Sequence, residues 1–156
     1  MASRRKGRIL AFQALYSWEA AGRELPIPED LLSFSWLEPE KQAAMDGESA
    51  AFSRLLMTGA IEHIADVDAM IKRHLKNWDF SRLARVDLAL LRLSAYTLMY
   101  QRDLSPSIVI DEAIGISREF GSAESFRFIN GVLDSIRKTL EASKAAPADD
   151  PGAAGV

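Results

Sequence analysis

The chain has 156 residues, 48% of them hydrophobic and 26% charged, with a net charge of −3. This is the composition and length of one ordinary globular domain. The absence of cysteine excludes disulfides, thiolate metal sites and a cysteine nucleophile, and fits a reducing cytoplasm. Two histidines, His63 and His74, are too few for a histidine-rich metal centre. The basic N-terminus is not followed by an apolar stretch of signal-peptide type. The most apolar segment, 83–100, carries Arg85, Asp87 and Arg92, which a membrane span does not tolerate without a reason.

In chain order the sequence reads as helix after helix. The first is expected over Ser3 to Ala21, with Ile9, Phe12, Leu15 and Tyr16 apolar and Gly22 as its stop. Residues 23–48 hold Pro26, Pro28 and Pro39 among seven acids and read as a variable connection with one short helix near Asp30 to Leu37. Helical period returns over Glu48 to His63, where Phe52, Leu55, Leu56 and Gly59 share a face. Asp66 is the expected N-cap of the next helix, whose stripe is Val67, Met70, Ile71, His74 and Leu75. From Ser81 to Gln101 the pattern is apolar nearly all round, which predicts a helix buried on all sides at the centre of the fold.

Ser105-Pro106 opens another helix, with Val109, Ala113, Ile116 and Phe120 inward and Gly121 at its end. Ser122 is the expected cap of the last helix, whose stripe runs Phe126, Ile129, Leu133, Ile136 and Leu140. The expectation is an all-α domain of six to seven helices over residues 1–141, followed by a disordered tail over 142–156.

Enzyme templates find little to hold. His74 falls on an apolar stripe, which favours a hydrogen-bonded core or helix-end role, and His63 sits near a helix end. Asp111 and Glu112, at i and i+1, diverge by about 100° around a helix, poor geometry for paired acid–base work. No glycine-rich phosphate loop or calcium loop is present. The sequence therefore predicts no catalytic residues, no metal and no cofactor, and directs attention to binding.

Charge is unevenly distributed. Residues 1–23 carry Arg4, Arg5, Lys6, Arg8 and Arg23 against Glu19, a net of +4, while the remainder is −7. A short basic arm on an acidic body suits a polyanion at one end, although the same charges also serve simple solvation. Gln13, Tyr16 and Trp18 follow within a few turns, and aromatics beside a basic arm are what a single-strand binder uses for stacking. Trp18 reads as core. Phe128 lies about 200° from Phe126 around its helix, off the main stripe. Asn130-Gly131 sits mid-helix, where both residues are poor helix formers, and is read as tight helix packing at Gly131 with a hydrogen bond from Asn130.

Several runs in fixed order resemble the NusB family over Arg4 to about Arg137. They are Ala14-Leu15-Tyr16-Ser17-Trp18, Val86-Asp87-Leu88-Ala89-Leu90-Leu91-Arg92-Leu93 with Tyr96, Val109-Ile110-Asp111-Glu112-Ala113, Phe120-Gly121, and Ser125 with Phe128-Ile129-Asn130-Gly131-Val132-Leu133-Asp134. The stretch 24–48 and the tail after Ser143 carry no family motif, and Asp111 stands where the family usually has Asn. The resemblance implies two roughly perpendicular three-helix sub-bundles and a transcription antitermination factor. With the small-subunit ribosomal protein NusE it would bind boxA-type single-stranded RNA of nascent ribosomal transcripts, meeting RNA polymerase and other factors indirectly. The implied RNA surface is Arg4, Arg5, Lys6, Arg8, Gln13, Tyr16, Glu124, Ser125, Phe128 and Asn130; the implied protein-binding residues are Asp87 and Tyr96. A protein–protein scaffold, a stand-alone accessory domain for RNA modification, and a homodimer that hides Tyr16 and the arm remain open alternatives.

Overall fold

A computed structural model describes residues 2–145, and the described residues are all-helical. The eight α-helices are α1 (Ala2–Ala20), α2 (Glu29–Ser33), α3 (Pro39–Ala44), α4 (Gly47–Glu62), α5 (Ile64–Arg73), α6 (Arg85–Tyr100), α7 (Pro106–Phe120) and α8 (Ser125–Ala145). A 3-10 turn at Phe80–Arg82 precedes α6. The count exceeds six to seven because the Pro-rich stretch folds into two short helices rather than one. α8 runs on to Ala145, past the expected end at 141; the rest of the expected tail, 146–156, lies outside the described residues. No described helix is long and apolar enough to cross a membrane.

The all-round apolar pattern of α6 has the expected consequence. Its eleven consecutive residues from Leu88 to Leu98 are buried, and α6 packs against α1, α4, α5, α7 and α8. α1 pairs with α4 and α7 with α8, so α6 is the member shared by two helical groups. Gly59 allows α4 to approach α6, because a Cβ there would collide with the Tyr96 ring and hydroxyl.

Arg92 is the charge that this buried helix must justify, and it is 2% exposed. Its Nε and Nη2 donate to the two oxygens of Asp68 on α5 at 2.8 and 2.9 Å, and Nη1 donates to Glu19 on α1 at 2.5 Å. Burial pushes the guanidinium pKa down, but the hydrogen bonds and charges of Asp68 and Glu19 outweigh it, and the pKa is raised. One side chain thereby ties three helices together.

The stretch 24–48 is better ordered than its prolines and acids suggest. Leu31 joins the main core, while Phe34 is fully buried in a second small cluster with Leu10 and Ala50, flanked by Trp36, Leu37 and Met45. Trp18 is core as expected, and its Nε1 donates to the Glu24 carbonyl at 3.0 Å, fixing the chain after α1.

Three local expectations need correction. α5 begins at Ile64 rather than after Asp66, which sits in its first turn, where an acid suits the helix dipole. Leu55 is 59% exposed, so the core face of α4 is Phe52, Leu56 and Gly59 without it. The cap at Ser122 is reversed: the Ser125 hydroxyl accepts from the Ser122 backbone N–H at 3.0 Å.

His74 ends α5 and bridges to α8, with Nδ1 2.7 Å from the Ser135 hydroxyl and Nε2 3.2 Å from Thr139 Oγ1. Burial first, then the charges of Arg73 and Lys76, lower its pKa below the ordinary 6.5. The folded state therefore prefers the neutral ring. Between that lowered value and 6.5 the unfolded chain binds more protons, so stability falls as pH drops through this window. The melting temperature should decline from pH 7.5 to pH 5 more steeply in the native chain than in His74→Gln; parallel declines would remove His74 as the cause.

Candidate nucleic-acid interface

The basic residues of α1 are not a loose arm. They lie within the first turns of a helix that packs on α4 and α6. Arg5 and Arg8 converge on Glu112 of α7, each donating from Nη1 to one carboxylate oxygen at 3.0 Å. Arg5 also lies 3.6 Å from Glu119. Arg8 is only 11% exposed, and burial, more than its neighbour Arg4, lowers its pKa against the opposing pull of Glu112. The Arg4 guanidinium sits 4.3 Å over the Phe52 ring. Lys6 is exposed and makes no ion pair within 4.0 Å among the described residues. The cluster thus divides into two arginines that anchor α1 to α7 and two cations facing solvent. An arm that contributes nothing to stability is not what the structure has.

Further along α1, Tyr16 is 38% exposed and Gln13 is half-buried. With Trp36, Val86 and Phe120 they line an uncharged hollow of about 300 Å³. Val86 leads directly to Asp87, and Phe120 through Gly121 to Ser122. Both Asp87 and Ser122 line a neighbouring cleft of about 500 Å³, together with Trp78, Arg82, Glu124, Ser125, Arg127 and Phe128. Of the residues implied on α1, Gln13 and Tyr16 therefore border one depression, while Glu124, Ser125 and Phe128 border another, one step away along α6 and two along the α7–α8 turn.

Within the cleft the individual roles differ. Ser125 is 3% exposed and is occupied with holding the turn at Ser122. Glu124 and Asn130 are exposed. Phe128 is half-buried, and its ring meets Trp78 with centroids 5.0 Å apart at 55°. Trp78 itself is 58% exposed, an aromatic the sequence reading passed over. Its signal was present: a tryptophan in the polar run Lys76-Asn77-Trp78-Asp79, outside every helical stripe.

Gly131 overturns its reading as tight packing. A Cβ there would meet nothing within 4 Å, and the residue is exposed. This part of α8 faces away from the bundle, so no neighbouring helix calls for a glycine. It borders a smaller hollow of about 290 Å³ shared with His74, Trp78 and Phe128.

The two implied protein-binding residues fare differently. Asp87, in the first turn of α6, lines the cleft, and its Oδ1 is buried without a hydrogen-bond partner. Tyr96 is 8% exposed, packed over Gly59 and stacked with His63 and Tyr100, so in this chain its ring serves the α4–α6 contact.

Among the described residues no group of three or more His, Cys, Asp or Glu side chains is arranged to hold a metal ion. The sequence pattern of the NusB family matches residues 5–138.

The chain belongs to the NusB family.

It is similar to the transcription antitermination protein NusB of Treponema pallidum (strain Nichols), with 49% identity over 136 residues, 87% of this chain and 93% of that relative. Among solved structures it resembles T. maritima NusB, with a TM-score of 0.74 and 33% identity over 86% of this chain and 90% of that one. It also shares its fold, at 24% identity and a TM-score of 0.73, with a chain in the crystal structure of antitermination factors NusB and NusE in complex with dsRNA; coverage is 89% of this chain and 98% of that one.

Proposed function

We propose that this NusB-family protein is a non-catalytic transcription antitermination factor of the cytoplasm. With the small-subunit ribosomal protein NusE, it binds boxA-type single-stranded RNA of nascent ribosomal transcripts. The observation that supports this best is the pair of depressions at Gln13 and Tyr16 and at Phe128, with the exposed cation Lys6 sharing with Gln13 the lining of a further groove along α1. Aromatic faces take bases and cations take phosphates, the two ingredients of single-strand binding. The place of Asp87 in the lining of the same cleft supports a partner protein that brings a donor there. The NusB relatives carry the name of transcription antitermination proteins, in agreement with this role.

The test is a titration of the full chain, with and without its NusE, against a boxA-type single strand and against the same sequence as a duplex, at several salt concentrations. With four or five phosphates neutralised, log K against log salt should slope at about −3 for the single strand. Arg4→Ala with Lys6→Ala should make that slope shallower by about 1.4, the contribution of two phosphates. Its melting temperature should barely change. Adding Arg5→Ala and Arg8→Ala should flatten the slope further but also destabilise the fold by roughly 1–2 kcal/mol, because Glu112 loses both partners. An unchanged slope in the double variant would remove the α1 cations from the RNA surface. Failure to form a ternary complex with NusE and RNA would leave a protein–protein scaffold as the better reading.

A further inference from the structure

Between α1 and the segment from Trp36 to Met45 runs a groove of about 630 Å³. Its floor is apolar, formed by Ile9, Leu10, Leu37 and Met45, and its polar lining includes Arg5 and Lys6 from α1, Lys41 from α3, and Glu38. Lys6 and Lys41 are exposed and have no ion pair within 4.0 Å among the described residues. Trp36 and Gln13 line both this groove and the hollow that holds Tyr16, so the two depressions are continuous. The Trp36 ring is set against Phe34, centroids 6.2 Å apart, and its Nε1 is buried without a hydrogen-bond partner.

We propose that this groove carries the RNA strand beyond the nucleotides held at Tyr16, making the Pro-rich stretch 24–48 part of the RNA track. With Arg5 held by Glu112 and Glu119, Lys6 and Lys41 are the cations left for a polyanion against Glu38, and an apolar floor ending in an indole suits the faces of bases. Lys6 and Lys41 take phosphates on the rim, and the flat face of Trp36, where the groove meets the Tyr16 hollow, takes a base. The inference rests on the RNA-binding reading above and extends it to a segment with no family motif.

The experiment compares a boxA-type single-stranded RNA with the same RNA lengthened by about four nucleotides at its 5′ or its 3′ end, titrated against the full chain. One of the two extensions should tighten binding about tenfold, the effect of one further stacked base. Lys41→Gln should erase most of that gain while leaving the unextended RNA bound as before. Trp36→Leu keeps apolar volume against Phe34 but lacks a flat face, and it should reduce the gain with little change in melting temperature. Tyr16→Ala should weaken both RNAs alike. If neither extension tightens binding while the shorter RNA still binds, the groove is not an RNA track and the parent reading stands. A gain untouched by Lys41→Gln and Trp36→Leu places the added nucleotides elsewhere and overturns the proposal. If no RNA binds, both readings fall, and an acidic protein segment becomes the candidate for the groove.

Discussion

Replacing Arg92 with Leu should destabilise the protein by about 3–5 kcal/mol, a large part of the roughly 5–15 kcal/mol that holds a domain together. The loss does not measure the worth of the ion pair. Removing the guanidinium leaves Asp68, 9% exposed, as a buried carboxylate with no cation, and Glu19 without its 2.5 Å contact. The penalty is the desolvation of the abandoned acids. Adding Asp68→Leu to Arg92→Leu should therefore recover a substantial part of the stability, since a well-packed apolar pair replaces a buried charge at little cost. Denaturant unfolding of the two single variants and the double variant measures this coupling directly. Strict additivity would mean that Arg92 and Asp68 act independently, contrary to their paired geometry.

This triad also shows where sequence reading stops. That α6 is central was legible, because a helix apolar on every side has nowhere else to go. Arg92 counted in the sequence only as one of three charges that a membrane span does not tolerate. Its partners were not legible, because Asp68 and Glu19 lie 24 and 73 residues away and no local pattern links them. The segment 24–48 failed for a related reason. Its prolines and acids describe the solvent side of a short chain, whereas Leu31 and Phe34, only two apolar residues of many, decide that it packs onto α1 and α4. Periodicity over five or six residues is too short to reveal such a face.

The candidate site was legible in the same partial way. Composition located the cations of α1 but not their division of labour. Glu112 appeared as an unsuitable acid–base partner for Asp111 and is in fact the anchor of Arg5 and Arg8. Phase misled at Phe128 and Phe126: Phe128, expected off the core stripe, packs against the main core, whereas Phe126, expected on it, lies beneath Arg118 and Arg127 instead. Phase alone did not identify the neighbour of Phe128, because Trp78 comes from an irregular connection whose path no helical period predicts. The opposite error occurred at Gly131, where glycine suggested close approach but the helix faces open space.

Alanine replacements at Tyr16, Trp78 and Phe128 should weaken single-stranded RNA binding about ten- to a hundredfold each, at the 1–3 kcal/mol that base–aromatic stacking contributes. Their stability costs should differ in a way that separates recognition from packing. Tyr16 and Trp78 are 38% and 58% exposed, so truncating them removes little buried surface, and melting should barely move. Phe128 is half-buried and packs against the main core, so its removal carries some cost, well below the roughly 3–5 kcal/mol of a fully buried phenylalanine. Phe128→Leu is the informative companion. It refills most of the apolar volume and should restore melting, but it lacks a flat face and should leave RNA affinity low. Recovery of both stability and affinity in Phe128→Leu would make Phe128 a packing residue that shapes the cleft for Trp78. Loss of melting temperature in Phe128→Ala with RNA affinity intact per folded molecule would return Phe128 to the core and leave Tyr16 and Trp78 to carry the stacking.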